Sequence, residues 1–241
     1  RFADSFAGHK VVTGFVFDQA SGEQLNILPE PVGELPESLQ GIMPLAQPPG
    51  YTGNLPVLQQ GAWGGGFFDN PTLDNDGVFR RVPVLQEFEG KLYGSLALGL
   101  ARAALDGPPV ELLVDDQGSY PFIDAIRLGD TQIPLAPLAA VLVPYRGPSY
   151  SFPYFSVADL LAKRIDKSEL EGRIVLLGTS APGLKDQRTT PFESSYPGVE
   201  VHANLVAGML DGTIKQQPGW VIAVELFMLL FIAIALGFLN N

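Results

Sequence analysis

The chain has 241 residues and no cysteine, which excludes a disulfide framework and zinc–thiolate sites. Its 26 acidic residues against 15 basic ones give a formal net charge of −11, which argues against nucleic acid as a partner and against adhesion to an anionic membrane surface. The length suits one large domain or two small ones and is ample for a hydrophobic core.

In chain order, Arg1 to Lys10 reads as the tail of a helix, and the β-branched and aromatic run Val11 to Phe17 as a buried strand. Residues 19–61 hold Pro29, Pro31, Pro36, Pro44, Pro48 and Pro49, which oppose continuous regular structure and predict an irregular wrapped excursion with one short helical turn. The glycines of Gly61 to Gly66 let the backbone approach a neighbour closely. Phe67-Phe68 and Val78 to Phe88 are expected to form a hairpin around the polar turn Asp74 to Gly77, with Arg80 and Arg81 on opposite faces. Calcium is a poor reading of that turn. With Gly77 at the sixth loop position, the first and twelfth fall on Thr72 and Pro83, and both carboxylates are missing.

Ser95 is placed to cap a helix in which Leu96, Leu100 and Ala103 or Ala104 share a face, stopped by Asp106-Gly107-Pro108-Pro109. Strands are predicted at Val110 to Val114, Phe122 to Leu128, Thr131 to Ile133 and Ala140 to Tyr145, with Gly129-Asp130 as a tight turn. Ser156 to Asp159 has capping-box spacing and opens a helix carrying Leu160, Leu161 and Ile165. Arg173 to Gly178 is a short, continuous apolar run of the buried-strand type, followed by a polar loop and a helix from Gly198 to Leu210. The alternation predicts an α/β fold, a mixed sheet covered by helices.

Trp220 to Leu239 is almost uninterruptedly apolar, and twenty such residues at about 1.5 Å rise span about 30 Å of hydrocarbon. It reads as a transmembrane helix with Trp220 as an interfacial anchor. Its single ionisable side chain, Glu225, either snorkels toward the headgroups or contacts another helix and couples a signal. The chain therefore divides into an extramembrane domain over residues 1–218 and a membrane helix over 219–239. The start at Arg1-Phe2-Ala3 shows no signal peptide, so the expectation is an excised piece whose signal or first membrane helix lies upstream.

Chemistry has few places to sit. The loop after Gly178 offers Thr179, Ser180, Lys185, Asp186 and Arg188 to a polar or anionic ligand, since open α/β sheets bind ligands beyond the carboxyl ends of their strands. The competing reading is a local ion-pair cluster that pins the loop. His202 falls on the apolar face of its helix with Leu205, Val206 and Met209, as a core histidine or as a ligand contact. The loop lacks the glycine spacing of a nucleophile elbow and the Gly-Lys-Ser/Thr of a P-loop. With no Cys and two distant His, no catalytic constellation, metal centre or cofactor site is expected.

The stretch Gly65 to Val84, continued by Glu89 to Leu98, resembles the second class of cyclase/histidine-kinase-associated sensory extracellular (CHASE) domains. Val143 to Pro148, Phe155 to Asp159, Gly172 to Gly183 with Thr190 to Phe192, and Pro197 to Asn204 support the likeness in the same order. Two departures stand out. Gly94-Ser95 replaces a frequent Pro-Ser, and the 19–61 excursion matches no family pattern. The resemblance implies a sensory domain of a bacterial receptor held in the plasma (inner) membrane, with residues 1–218 periplasmic or extracellular. It also implies a small-molecule or protein ligand, a homodimer, and a cytoplasmic adenylate or guanylate cyclase, histidine kinase or Ser/Thr kinase as output. A constitutive assembly module is the alternative, and a membrane-tethered hydrolase a third reading.

Overall fold

The computed structural model describes residues 2–71, 74–115, 121–179, 186–216 and 220–239. The protein has the mixed α/β fold expected, with its strands distributed over several small sheets. A single 3-10 turn over Ala3–Phe6 stands where a helix tail was expected, and its Phe6 is buried. Strand β1 (Val12–Asp18) follows as predicted, with Phe15 and Phe17 inward.

The proline-rich excursion is more ordered than its composition suggests. It supplies β2 (Gln24–Leu25), β3 (Gly33–Glu34), β4 (Gly50–Thr52) and the short helix α1 (Pro56–Gly61). Its prolines fall between these pieces or at the first turn of α1, where the missing N–H costs no ladder bond. Antiparallel β4 pairs with β1, and β2 pairs with β4 in parallel.

The expected hairpin does not form. Strand β5 (Gly64–Phe67) lies parallel to β1 instead, completing a sheet of order β2-β4-β1-β5. The run Val78 to Phe88 divides into β6 (Arg81–Pro83) and β7 (Leu85–Phe88), because Pro83 cannot donate to a ladder and the chain changes partner there. Strand β7 turns through Glu89 and Gly90, both at positive φ, into β8 (Lys91–Gly94), which also accepts β3 on its other edge.

Ser95 caps helix α2 (Leu96–Ala104), its Oγ accepting the Leu98 N–H at 3.2 Å. The buried face carries Ala97, Leu98, Ala101 and Ala103, while Leu96 and Leu100 are only partly covered. Small residues turn inward because the helix start rests directly on the β5 backbone. A Cβ on Gly66 would lie 2.5 Å from the Leu96 nitrogen and the Ser95 carbonyl. The antiparallel meander β9 (Val110–Asp115), β10 (Phe122–Leu128) and β11 (Thr131–Pro134) agrees with the sequence reading. The next strand, β12 (Ala140–Leu142), is shorter than expected and pairs with β6.

Helix α3 (Val157–Leu161) is capped by Ser156 but stops before Ile165. Arg173 to Gly178, expected as a buried strand, joins no sheet among the described residues, and its Leu177 is 81% exposed. No described strand lies beside it to complete a ladder, so its side chains edge an open cavity instead. The two-stranded ribbon β13 (Gln187–Arg188) and β14 (Tyr196–Pro197) leads into helix α4 (Gly198–Leu210), whose limits match those predicted.

One core joins α2, α4, the meander and β6 through Leu98, Ile126, Leu128, Ile133, Leu205 and Met209. A second is aromatic: Phe15, Phe17, Phe67, Phe88 and Tyr93 pack mainly edge to face. Helix α5 (Trp220–Leu239) is long and apolar enough to cross a membrane over Trp220–Gly237, and none of that window is buried in the protein. We predict that Gly66→Ala lowers stability by about 1–3 kcal/mol, because both groups that meet the new methyl are backbone. Urea unfolding with an unchanged m-value and a lowered midpoint checks it; an unaltered midpoint would show that α2 can lift away from β5.

Candidate functional site

The first two turns of α4 hold two buried polar side chains in an otherwise apolar helix, Glu200 at 1% and Asn204 at 0% exposure. An acid in the first turn is favoured by the helix dipole. Burial additionally requires partners, and a single loop provides them. Glu200 accepts the Tyr150 N–H (2.9 Å) and the Tyr154 hydroxyl (2.8 Å) on Oε2, and the Ser151 N–H (2.9 Å) on Oε1. Asn204 accepts the Arg146 N–H at 2.9 Å and donates to the Tyr196 hydroxyl at 3.0 Å and the Glu200 carbonyl at 2.8 Å. Glu193 fixes the same loop from its other side by accepting the Ser149 N–H and hydroxyl.

The loop connects two places. Toward α3, Phe152, Tyr154 and Phe155 form one wall of an open cavity of about 370 Å³, faced by Leu160, Leu176, Val199 and Ala203. Toward the end of α4, the Arg146 guanidinium lies 5.3 Å from the Phe152 ring and pairs with Asp211, the residue that ends that helix. Burial raises the Tyr154 phenol, and its bond to Glu200 raises it further, so the hydroxyl stays a donor. Burial likewise pushes Tyr196 up to about 12.

Of the sequence candidates, Asp186, Arg188 and His202 gather on one side of α4. Asp186 and Arg188 form an ion pair at 3.3 Å, both half-buried, and the Arg188 guanidinium stacks 5.4 Å from the Phe79 ring. The Asp186 carbonyl accepts the Gly198 N–H at 2.9 Å, and the Asp186 carboxylate packs into the space that a Cβ on Gly198 would take. Burial raises the Asp186 carboxyl against the opposing pull of Arg188. Thr179 is exposed, whereas Ser180 and Lys185 lie outside the described residues. Glu225 is exposed on α5.

His202 is partly covered overall, but its Nδ1 is buried without a hydrogen-bond partner among the described residues. Burial, then the charge of Arg188, pulls its imidazole down to about 4. Arg80 and Arg81, expected on opposite faces, both reach Asp74, and Arg80 also pairs with Asp76 at 2.8 Å. Glu200 and Asn204 were not singled out in the sequence. The available signal was their i, i+4 spacing inside an apolar helix, which places both on one face. No cluster of His, Cys, Asp and Glu able to hold a metal occurs among the described residues.

A sequence model of the CHASE2 domain matches residues 1–239. The chain belongs to the CHASE2 family. CHASE2 is an extracellular sensory domain family found in signalling proteins. No curated protein and no solved structure matches the chain. For this CHASE2 domain the cavity, the loop Arg146 to Tyr154 and α4 together form the candidate sensory site, with the Asp186, Arg188 and His202 group beside it.

His202 gives the CHASE2 domain an acid-sensitive contribution to stability. Its folded pKa lies below the unfolded value, so the unfolded chain binds the extra proton first. The contribution is complete above about pH 6.5 and is lost as pH falls toward about 4. We predict that thermal unfolding between pH 7.5 and pH 4.5 costs the wild type more degrees of Tm than it costs His202→Gln. Equal losses in the two proteins would show that the imidazole is not held neutral by the fold.

Proposed function

We propose that residues 1–218 are the extracytoplasmic sensory domain of a bacterial transmembrane receptor held in the plasma membrane by α5. A ligand- or partner-induced change in this domain passes through α5 to a cytoplasmic output, for which a nucleotide cyclase is the leading assignment. The receptor acts as a homodimer. Family membership supports the sensory role. The apolar helix supports the membrane attachment.

The observation that carries the coupling is the state of residues 211–216, the described part of the segment between α4 and α5. A free joint there would lose any displacement. Instead Ile214 is buried in the main core, the Thr213 N–H returns to the Gly208 carbonyl at 3.0 Å, and Gln216 donates to Asp124 of β10 at 2.9 Å. With the Arg146–Asp211 pair, four of the six residues from 211 to 216 are tied to the folded body. A stimulus shifts the output only by its differential affinity for two states of that body, and a tied connection lets the difference reach α5.

Constitutive dimerisation is the rival reading, and the same connection separates the two. We expect two glycines inserted after Gln216 of the full-length receptor to change its nucleotide formation in membranes by at least about fivefold, the low end of ordinary coupling energies. A pure assembly module tolerates the insertion. Unchanged nucleotide formation, with the receptor still inserted and dimeric by cross-linking, would favour assembly over sensing.

A further inference from the structure

The cavity beside the Arg146 to Tyr154 loop has an electrostatic feature beyond the anchoring of that loop. Its wall is aromatic and aliphatic, and it carries three charged side chains among the described residues: Glu169, Arg173 and Glu200. Glu169 and Arg173 face each other at 4.0 Å on the half-exposed rim and offset one another. Glu200 lies deep, at 1% exposure. Its three hydrogen-bond donors are two backbone amides and a phenol, none of them charged. The described lining therefore encloses an acid with no cationic counterpart of its own, next to the rings of Phe152, Tyr154 and Phe155.

These two features favour the same kind of guest. Aromatic faces carry negative quadrupole density and attract cations, most strongly where water is excluded. A buried carboxylate adds a Coulombic attraction that grows as the local dielectric falls. An anion meets repulsion at Glu200, and a neutral apolar molecule gains burial but no charge term. At about 370 Å³, the cavity falls within the range of small-molecule pockets.

We infer that this cavity binds a small organic cation, an ammonium group bearing apolar substituents, with the charge held between Glu200 and the rings of Phe152, Tyr154 and Phe155. The inference rests on the sensory reading given above and names its ligand class. It also gives the stimulus a physical route outward. The Phe152 ring that meets the guest is the ring under the Arg146 guanidinium, and Arg146 holds Asp211 at the end of α4.

The test uses the chain in maltoside micelles, which carry no ammonium headgroup, and measures binding calorimetrically for two isosteric probes. One is choline; the other is the neutral alcohol in which a tert-butyl group replaces trimethylammonium. Choline is expected to bind more tightly by roughly tenfold. Glu200→Gln should abolish that preference. Phe155→Leu, which leaves the Glu200 hydrogen bonds untouched, should weaken choline while sparing the alcohol. Equal affinity of the two probes for the wild type, or no choline binding, overturns the assignment, as does a preference that survives both substitutions. Failure of the sensory reading looks different: choline binds with these preferences, but nucleotide formation by the full-length receptor does not respond.

Discussion

The buried carboxylate of Glu200 constrains this structure more than any other single group. An acid taken from water into a protein interior is costly unless its lone pairs are filled. Here the donors come from one loop, so the carboxylate dictates where residues 150–154 must run. Asn204, one turn further along α4, fixes the start of the same loop at Arg146. A segment with no regular structure of its own is thereby held at both ends against a helix. Without that anchorage, the Phe152 and Tyr154 rings would have no fixed place, and the cavity would lose its wall.

The consequences run in two directions from α4. Its C-terminal end continues into residues 211–216, which Ile214, Gln216 and the Arg146–Asp211 pair hold against the folded body. At its N-terminal end, Gly198 is pressed against Asp186, which ties the ribbon after the polar loop to the same helix. The helix thus joins the cavity wall at its first turns to the Arg146–Asp211 pair at its end. The α2 side of the fold plays a different part: Gly66 lets the start of α2 lie directly on the β5 backbone.

Much of this was legible beforehand, for identifiable reasons. The limits of α4, the Ser95 cap, the meander from Val110 to Pro134 and the apolar α5 were all readable because each is set by local signals: a capping hydroxyl, a two-residue turn, or an unbroken apolar run. The hairpin expected around Asp74 to Gly77 was not, because its failure depends on β1 offering Phe67 a parallel partner far away in sequence. The excursion over 19–61 was read as irregular from its prolines. Strands of two or three residues fit between prolines, and nothing local distinguishes them from loop. The run Arg173 to Gly178 has the composition of a buried strand, yet its exposure depends on which neighbours are present, a tertiary fact. The site residues followed the same division. Asp186, Arg188 and His202 are candidates by residue type alone, whereas Glu200 stands in sequence as an ordinary first-turn acid and only the loop that satisfies it sets it apart.

By itself, then, the sequence determined the α/β class, the membrane-spanning length of α5, the absence of cysteine chemistry and the family likeness, because these rest on composition, periodicity and short motifs. Only the tertiary structure decided that Glu200 is buried, that Arg146 links the Phe152 ring to Asp211, and that Ile214 and Gln216 are held by the folded body. The physical reason is separation along the chain. Arg146 and Asp211 are hydrogen-bonded neighbours in space yet 65 residues apart in sequence, and Gln216 and Asp124 are 92 apart. Periodicity reports which face of an element is apolar, but it carries no information about which distant residue that face will meet.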